Sequence, residues 1–192
     1  MERRVIETSR LALVPSAVDH AEPLWSAVEA SLPELRPWMA WAIDDSYEHN
    51  RDFLTMCETM WQRGEAWTFT LFVDGSAAGT VGLGSYEPLI SRAELGYWIR
   101  TDLAGRGLMT EAAAAVVTFG FDEVGLHRLE LHAGVKNANS NRVAEKLGFH
   151  RVGLLRDGSR GENGWYDCHV FDLLDSDERP LLPPPRNKSL RG

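Results

Sequence analysis

Residues 102–112 read D-L-A-G-R-G-L-M-T-E-A, with Gly105 and Gly107 flanking Arg106. A strand-like run, Glu94-Leu-Gly-Tyr-Trp-Ile99, precedes them, and an alanine-rich helical run follows. A strand that breaks on glycines and opens into a helix presents unpaired backbone N–H groups at the positive end of the helix dipole, a place to bind an anion. Three phosphate binders share this outline. A P-loop requires G-x-x-x-x-G-K-[ST], and no Lys-Ser/Thr pair follows these glycines. A dinucleotide fingerprint requires G-x-G-x-x-G, and Thr110 stands where the third glycine belongs. What remains is a loop whose N–H groups, through Ala104, Gly105, Arg106, Gly107, Leu108 and Met109 to the helical Thr110, wrap a pyrophosphate. Glycine lets the backbone approach closely, and Arg106 adds charge. A tight strand-to-helix turn that binds nothing would carry the same glycines.

The elements that must position this loop follow from periodicity. Arg10–Val14 alternates as a strand ended by Pro15, and Val18–Leu32 has helical spacing with Asp19 as N-cap and Pro33 as stop. Leu35–Trp41 is a turn carrying Trp38 and Trp41. Tyr47–Gln62 reads as a helix with Phe53, Leu54, Cys57 and Trp61 on one side. Trp67–Val73 and Ala77–Tyr86 are strands joined at Asp74-Gly75, and Ala93–Arg100 is the next strand. Leu108–Glu123 is a helix capped by Gly125, Arg128–Ala133 a strand, and Ser140–Leu147 a short helix closed by Gly148. Phe149–Arg156 and Trp165–Leu174 are the last strands. The order β-α-α-β-β-β-α-β-α-β-β predicts a mixed α+β sheet of about seven strands, mostly antiparallel, with about four helices. It lacks the βαβα alternation of a dinucleotide-binding fold. Residues 1–178 form one domain, and the proline-rich residues 179–192 read as a poorly ordered tail.

Composition narrows the class. Among 192 residues, 44% are hydrophobic and 25% charged, the balance of an ordinary globular chain. No apolar run approaches the ~20 residues of a membrane span, and the N-terminus has no apolar signal core. The two cysteines, Cys57 and Cys168, form no C-x-x-C and read as reduced and structural, which together points to the cytoplasm. The net charge of −8 is concentrated in residues 1–91, with 6 Lys/Arg against 14 Asp/Glu. An acidic surface disfavours nucleic acid and favours cationic partners such as amines; it is also what a plain solubilising face looks like. The six histidines show no metal-ligand spacing, and His127 and His132 are expected at strand ends, so no metal is expected.

Further along, Asn137-Ala-Asn-Ser140 precedes Arg142-Val-Ala-Glu-Lys-Leu-Gly-Phe149. With E-L-G-Y-W-I and G-R-G-L-M-T-E-A, this set resembles the GNAT superfamily of acetyl-CoA N-acetyltransferases over about residues 8–175. The turn L-R-P-W-M-A-W and the strand W-Y-D-C-H-V-F look like its RimJ/RimL branch, whose members acetylate N-termini of ribosomal proteins. The family loop reads Gln/Arg-x-x-Gly-x-Gly/Ala; here Ala104 and Met109 fill the first and last positions. Side-chain help from the first position is therefore absent, while the backbone cradle is retained.

The resemblance implies a GNAT fold, acetyl-CoA as acetyl donor, and the following roles. The end of the Glu94–Arg100 strand, Trp98 and Ile99, splays from its neighbour and pairs with the pantetheine arm. Asn137 hydrogen-bonds the pantetheine, and Ser140 sits near the thioester sulfur, either to protonate the thiolate or merely to cap its helix. Glu94 occupies a strand position where related enzymes place a general base; an ordinary sheet-surface glutamate is the alternative. Trp38 and Trp41, otherwise core or lid residues, wall the acceptor cleft. Glu34, Asp44 and Asp45 beside them can meet a cationic acceptor, and Tyr166 or Asp167 can line the slot. The expected acceptor is a protein N-terminus. The rivals are a small amine such as an antibiotic, polyamine or amino acid, and an acyl-CoA-binding module without transfer. A homodimer is compatible with the family.

Overall fold

The structure, a computed structural model, describes residues 2–179. Its single eight-stranded sheet comprises β1 (Ile6–Glu7), β2 (Ala12–Pro15), β3 (Trp67–Val73), β4 (Ser76–Glu87), β5 (Arg92–Ile99), β6 (Arg128–Gly134), β7 (His150–Gly161) and β8 (Gly164–Leu174). The spatial order is β1-β2-β3-β4-β5-β6-β8-β7. Every neighbouring pair is antiparallel except β5 and β6. The helices are α1 (Ala21–Glu29), α2 (Leu32–Leu35), α3 (Tyr47–Arg63), α4 (Leu108–Phe119) and α5 (Ala138–Lys146).

Alternation along the strands feeds two apolar clusters. On one side, Leu13, Phe69, Leu71, Val81, Leu83, Leu95 and Leu129 pack with Ala112, Ala113, Val116 and Phe119 of α4. That helix is alanine-rich because it lies close against the sheet. On the other side, Leu24 and Val28 of α1 and Leu54 of α3 pack with Trp98 of β5. Strand β5 therefore turns Ala93 and Leu95 to the first cluster and Trp98 to the second. Its period of two puts Glu94 on the same face as Trp98.

The feature that matters most for function is where pairing stops. Strands β5 and β6 are in parallel register only from Arg92↔Arg128 to Glu94↔Glu130. Beyond that point β5 stays paired with β4 up to Ile99, and β6 stays paired with β8 up to Gly134. The sheet is split there, and the facing edges of the two strands carry free backbone groups.

Several boundaries differ from the sequence expectation. The helix predicted over Val18–Leu32 is a 3-10 turn at Val18–His20, then α1, then α2. His20 rather than Asp19 takes the N-cap position of α1. Pro33 opens α2 instead of stopping a helix, a position where its missing N–H costs nothing. Strand β2 begins at Ala12 rather than Arg10 and ends on Pro15. The α4 helix ends at Phe119 in a π turn, Gly120–Val124, closed by left-handed Gly125. The two-residue β1 is too short for periodicity to detect. Arg179 pairs with Asp122 at 3.1 Å and so belongs with the domain; the rest of the predicted tail lies outside the described residues.

Candidate active site

The glycine loop is built as its sequence requires. After β5 a 3-10 turn, Thr101–Leu103, leads to Gly105 (φ +75°) and Gly107 (φ +76°), both left-handed. Gly107 is the N-cap of α4, and no side chain caps that helix. Leu108 and Met109 bury their side chains in the core, so the first turn offers its backbone. A second chain segment braces the loop. Arg10 donates from Nη1 to the Arg106 carbonyl at 2.8 Å and from Nε to Glu111 Oε2 at 2.6 Å. Glu111 is buried and also accepts from the Ser9 hydroxyl at 2.7 Å and the Arg10 N–H at 2.9 Å. Burial alone would raise its carboxyl, but these hydrogen bonds hold it below the usual glutamate range. Neither Arg10 nor Glu111 stood out in the sequence, because their pairing spans about a hundred residues.

Where β5 and β6 part, the split sheet opens into a cavity of 820 Å³ lined by Glu94 to Trp98 of β5 and Leu131 to Gly134 of β6. Trp38, Trp41, Trp98, Glu94, Tyr166, Asn137 and Ser140 all line it. Glu94 is partly exposed, with Oε1 3.8 Å from His132 Nδ1. His132 in turn lies 3.8 Å from Glu130. His132 was expected at a strand end; it is inside β6 and faces the cavity.

The tryptophan-bearing wall of the cavity is formed by two distant segments. Trp38 and Tyr166 meet edge to face at 5.7 Å, and the Tyr166 hydroxyl donates to the Trp38 carbonyl. Burial raises the Tyr166 phenol above its ordinary range, so it stays protonated as a donor. The Glu162 N–H donates to the Arg36 carbonyl at 2.9 Å. The tip of the β7–β8 hairpin thus clasps the tryptophan turn. Trp41 is exposed and sits 6.0 Å from Trp98. Asp44 and Asp45 also line this end. Burial lifts the Asp45 carboxyl, with the Ser46 N–H and nearby His49 offsetting part of that.

Three expected roles are corrected. Glu34 does not line the cavity; its Oε2 accepts from the Thr101 hydroxyl at 3.1 Å, because α2 turns it toward the loop after β5. Asp167 faces away and accepts the Asp157 N–H at 3.0 Å. Ser140 is not the cap of α5: Asn137 is, with Oδ1 accepting the Ser140 N–H at 3.1 Å. That leaves the Ser140 hydroxyl free of capping, and it lies 3.0 Å from the Tyr97 hydroxyl. Asn141, unnoticed in the sequence, ties α5 to β6 by donating to the Gly134 carbonyl at 2.9 Å. Among the described residues, no group of three or more His, Cys, Asp or Glu is placed to hold a metal.

One cavity therefore combines a split sheet, a carboxylate, a hydroxyl and an acidic aromatic wall, while Ile99 and the glycine loop that follows β5 do not line it. Comparison with known proteins agrees. The family model described as an acetyltransferase (GNAT) domain matches residues 10–150. The chain is 35% identical over 104 residues to the putative ribosomal N-acetyltransferase YdaF of Bacillus subtilis (strain 168), covering 54% of this chain and 57% of that one. It is 26% identical over 178 residues to the ribosomal-protein-serine acetyltransferase of Escherichia coli (strain K12), covering 92% and 99%. The structure of the ribosomal α-N-protein acetyltransferase RimL in complex with coenzyme A superposes with a TM-score of 0.84 at 24% identity, over 91% of this chain and 100% of that one, and shares the fold. With that family model matching well over half of its length, the chain belongs to the acetyltransferase (GNAT) family.

Proposed function

We propose that the protein transfers an acetyl group from acetyl-CoA to the N-terminal α-amine of a protein, by direct attack of the amine on the thioester. The observation that carries this reading is the continuity of one cavity from the acidic tryptophan wall to the split between β5 and β6. Donor and acceptor can meet there without a covalent enzyme intermediate. The pyrophosphate would lie on the N–H groups of Gly105–Met109, because the Ala104 N–H donates to the Thr101 carbonyl at 3.1 Å, and the pantetheine amides would pair with the edge of β5 through Trp98 and Ile99. The cap uses one lone pair of the Asn137 oxygen, which leaves its amide N–H₂ and the second lone pair to reach the pantetheine.

Transfer needs a neutral amine. An α-amine with a pKa near 8 is about one-tenth neutral at pH 7, whereas a lysine near 10.4 is neutral in roughly one molecule per few thousand. A partly exposed carboxylate such as Glu94 can remove the proton from the first, directly or through water, more readily than from the second. Asp44 and Asp45 would draw the ammonium in. Ser140 would hydrogen-bond the departing sulfur. Similarity to ribosomal-protein acetyltransferases over nearly the full chain supports a protein acceptor. The enclosed volume is also within the range of small-ligand pockets, which supports a small amine as the second reading. Thiol release measured with a panel of N-terminal peptides against a panel of polyamines, amino acids and aminoglycosides separates the two. Turnover confined to the amines would overturn the proposal, as would coenzyme A binding without turnover on either panel.

A further inference from the structure

Beyond the point where β5 and β6 part, one side chain reaches back across the gap. Tyr97 lies three residues past the last β5–β6 pair, and its hydroxyl oxygen is 3.0 Å from Ser140 Oγ and 3.3 Å from the Ser140 carbonyl oxygen. Strand β5 and helix α5 are thereby tied together at the wall of the cavity, which both residues line. Ser140 has its backbone fixed as well, through the Asn137 cap. What remains free at Ser140 is the rotation of its hydroxyl.

That rotation decides what the serine can do. A serine hydroxyl has one proton and two lone pairs. If a neighbour donates to Oγ, the serine proton must point elsewhere, and the open direction is the cavity. If instead the serine donates to the neighbour, its proton is unavailable to a ligand. Burial pushes the Tyr97 phenol up to about 12; it keeps its proton at neutral pH, as the serine does, and as the more acidic of the two hydroxyls it is the preferred donor between them. The carbonyl contact, in which only the tyrosine can donate, competes for that one proton. The shorter of its two contacts is to Oγ.

We propose that Tyr97 is a positioning residue for acetyl transfer, donating its O–H to Ser140 Oγ and so aiming the serine proton at the thioester sulfur. The inference rests on the placement of Ser140 at that sulfur under the proposed function. In the step itself, the amine nitrogen bonds to the acetyl carbon. The carbon–sulfur bond breaks, and its electron pair goes to sulfur. The proton lost by the amine passes to Glu94 or, through water, to solvent. Ser140 keeps its proton and shares it as a hydrogen bond with the thiolate, which takes a proton from water on release. Tyr97 itself takes and gives up no proton in the step. Donating to Oγ makes the serine O–H a better donor, since successive hydrogen bonds polarise one another.

The test uses Tyr97→Phe, which keeps the ring, with Ser140→Ala and the double variant, all in the full chain. Two readouts are taken: kcat with acetyl-CoA, and the titration of the thiol of bound coenzyme A, followed by the ultraviolet absorbance of its thiolate. Losing one hydrogen bond's worth of support lowers kcat by roughly 5- to 10-fold. The bound thiol should become harder to ionise in parallel, while coenzyme A affinity stays within about twofold. In the Ser140→Ala background the tyrosine substitution should change neither readout. A Tyr97→Phe protein with an unchanged rate and unchanged thiol titration overturns the proposal. Additive losses in the double variant also overturn it, because Tyr97 would then act by itself. A fall in coenzyme A affinity with no change in thiol ionisation assigns Tyr97 to packing and overturns it too. Failure of the acceptor reading is distinguishable, because the thiol titration needs no acceptor.

Discussion

The clasp between the β7–β8 hairpin and the tryptophan turn hinges on Gly161. A Cβ built at this position would lie 2.0 Å from the Pro37 carbonyl oxygen, 2.5 Å from its carbon and 2.9 Å from the Arg36 carbonyl oxygen. These are backbone atoms, so Gly161→Ala cannot be absorbed by a side-chain rotation. Restoring an ordinary contact of 3.4 Å requires the hairpin tip and the turn to part by about 1.4 Å. That takes the Glu162 N–H, now 2.9 Å from Arg36 O, out of hydrogen-bonding range and pulls on the Tyr166-to-Trp38 bond. Two hydrogen bonds at about 1 kcal/mol each put the loss near 2 kcal/mol. For a domain of this size that lowers the melting temperature by roughly 4–8 °C. The more discriminating effect is kinetic. Moving an acceptor wall by about 1 Å can reduce productive alignment by up to ~10²-fold, so kcat/KM for the acceptor should fall between 10- and 100-fold. Coenzyme A affinity should stay within twofold, since the hairpin does not touch the Ala104–Met109 loop. Thermal melts, calorimetry with coenzyme A and steady-state kinetics on one acceptor test all three. Wild-type acceptor kinetics and an unshifted melt would refute the reasoning, because the steric conflict would then have been relieved without moving the wall.

Glu94→Gln keeps size but removes basicity, so turnover at pH 7 should fall by roughly 10²-fold and the deficit should shrink as pH rises and more amine arrives neutral. A constant deficit across pH would assign Glu94 to cleft shape alone. Gly107→Val places a branched residue at φ +76°, with its Cβ 3.5 Å from Arg10 Nη2, in the space assigned to the pyrophosphate. Calorimetry should show coenzyme A affinity reduced by more than about tenfold, the equivalent of 1.4 kcal/mol, and unchanged affinity would remove the loop assignment. Glu111→Gln tests the brace. The folded carboxyl sits below its unfolded value, so its stabilisation is complete above the unfolded range near 4.3 and fades as pH falls through the folded one. The variant should therefore melt lower than wild type at pH 7, by on the order of 2 kcal/mol, with the gap closing in acid; a gap independent of pH would contradict the charge-assisted hydrogen bonds.

What the sequence made legible was local. The glycine loop could be read because positive φ and an uncapped helix start demand glycine at Gly105 and Gly107, whatever lies elsewhere. The strand Trp67–Val73 was read to the residue because it is dense in aromatic and β-branched residues and stops at the Asp74-Gly75 turn. The roles of Ser140 and Asn137 were harder to separate. Either side chain can cap a helix, and only the backbone path into α5 shows that Asn137 does so and that the Ser140 hydroxyl is left for Tyr97. Glu34 and Asp167 were misplaced for a similar reason: nearness in sequence to the tryptophans or to Tyr166 does not fix which way a side chain faces. His132 was missed because a histidine inside an alternating strand carries no spacing signal until β5 brings Glu94 to within 3.8 Å.

The contacts that sequence could not reveal are those that separate the two ends of the site. The anion loop is braced from the N-terminal segment, by Arg10 and Glu111. The acceptor wall is braced from the C-terminal hairpin, by Glu162 and Tyr166. These two braces share no residue, and only the second borders the cavity that has Glu94 and Ser140 on its wall. Independent bracing means that substitutions on opposite ends should add in free energy, as expected of sites without common partners. Gly107→Val combined with Gly161→Ala should thus lose the sum of the two effects on kcat/KM. A marked departure from additivity would mean that the cleft closes as one body around both substrates, and that the split between β5 and β6 transmits strain from one end to the other.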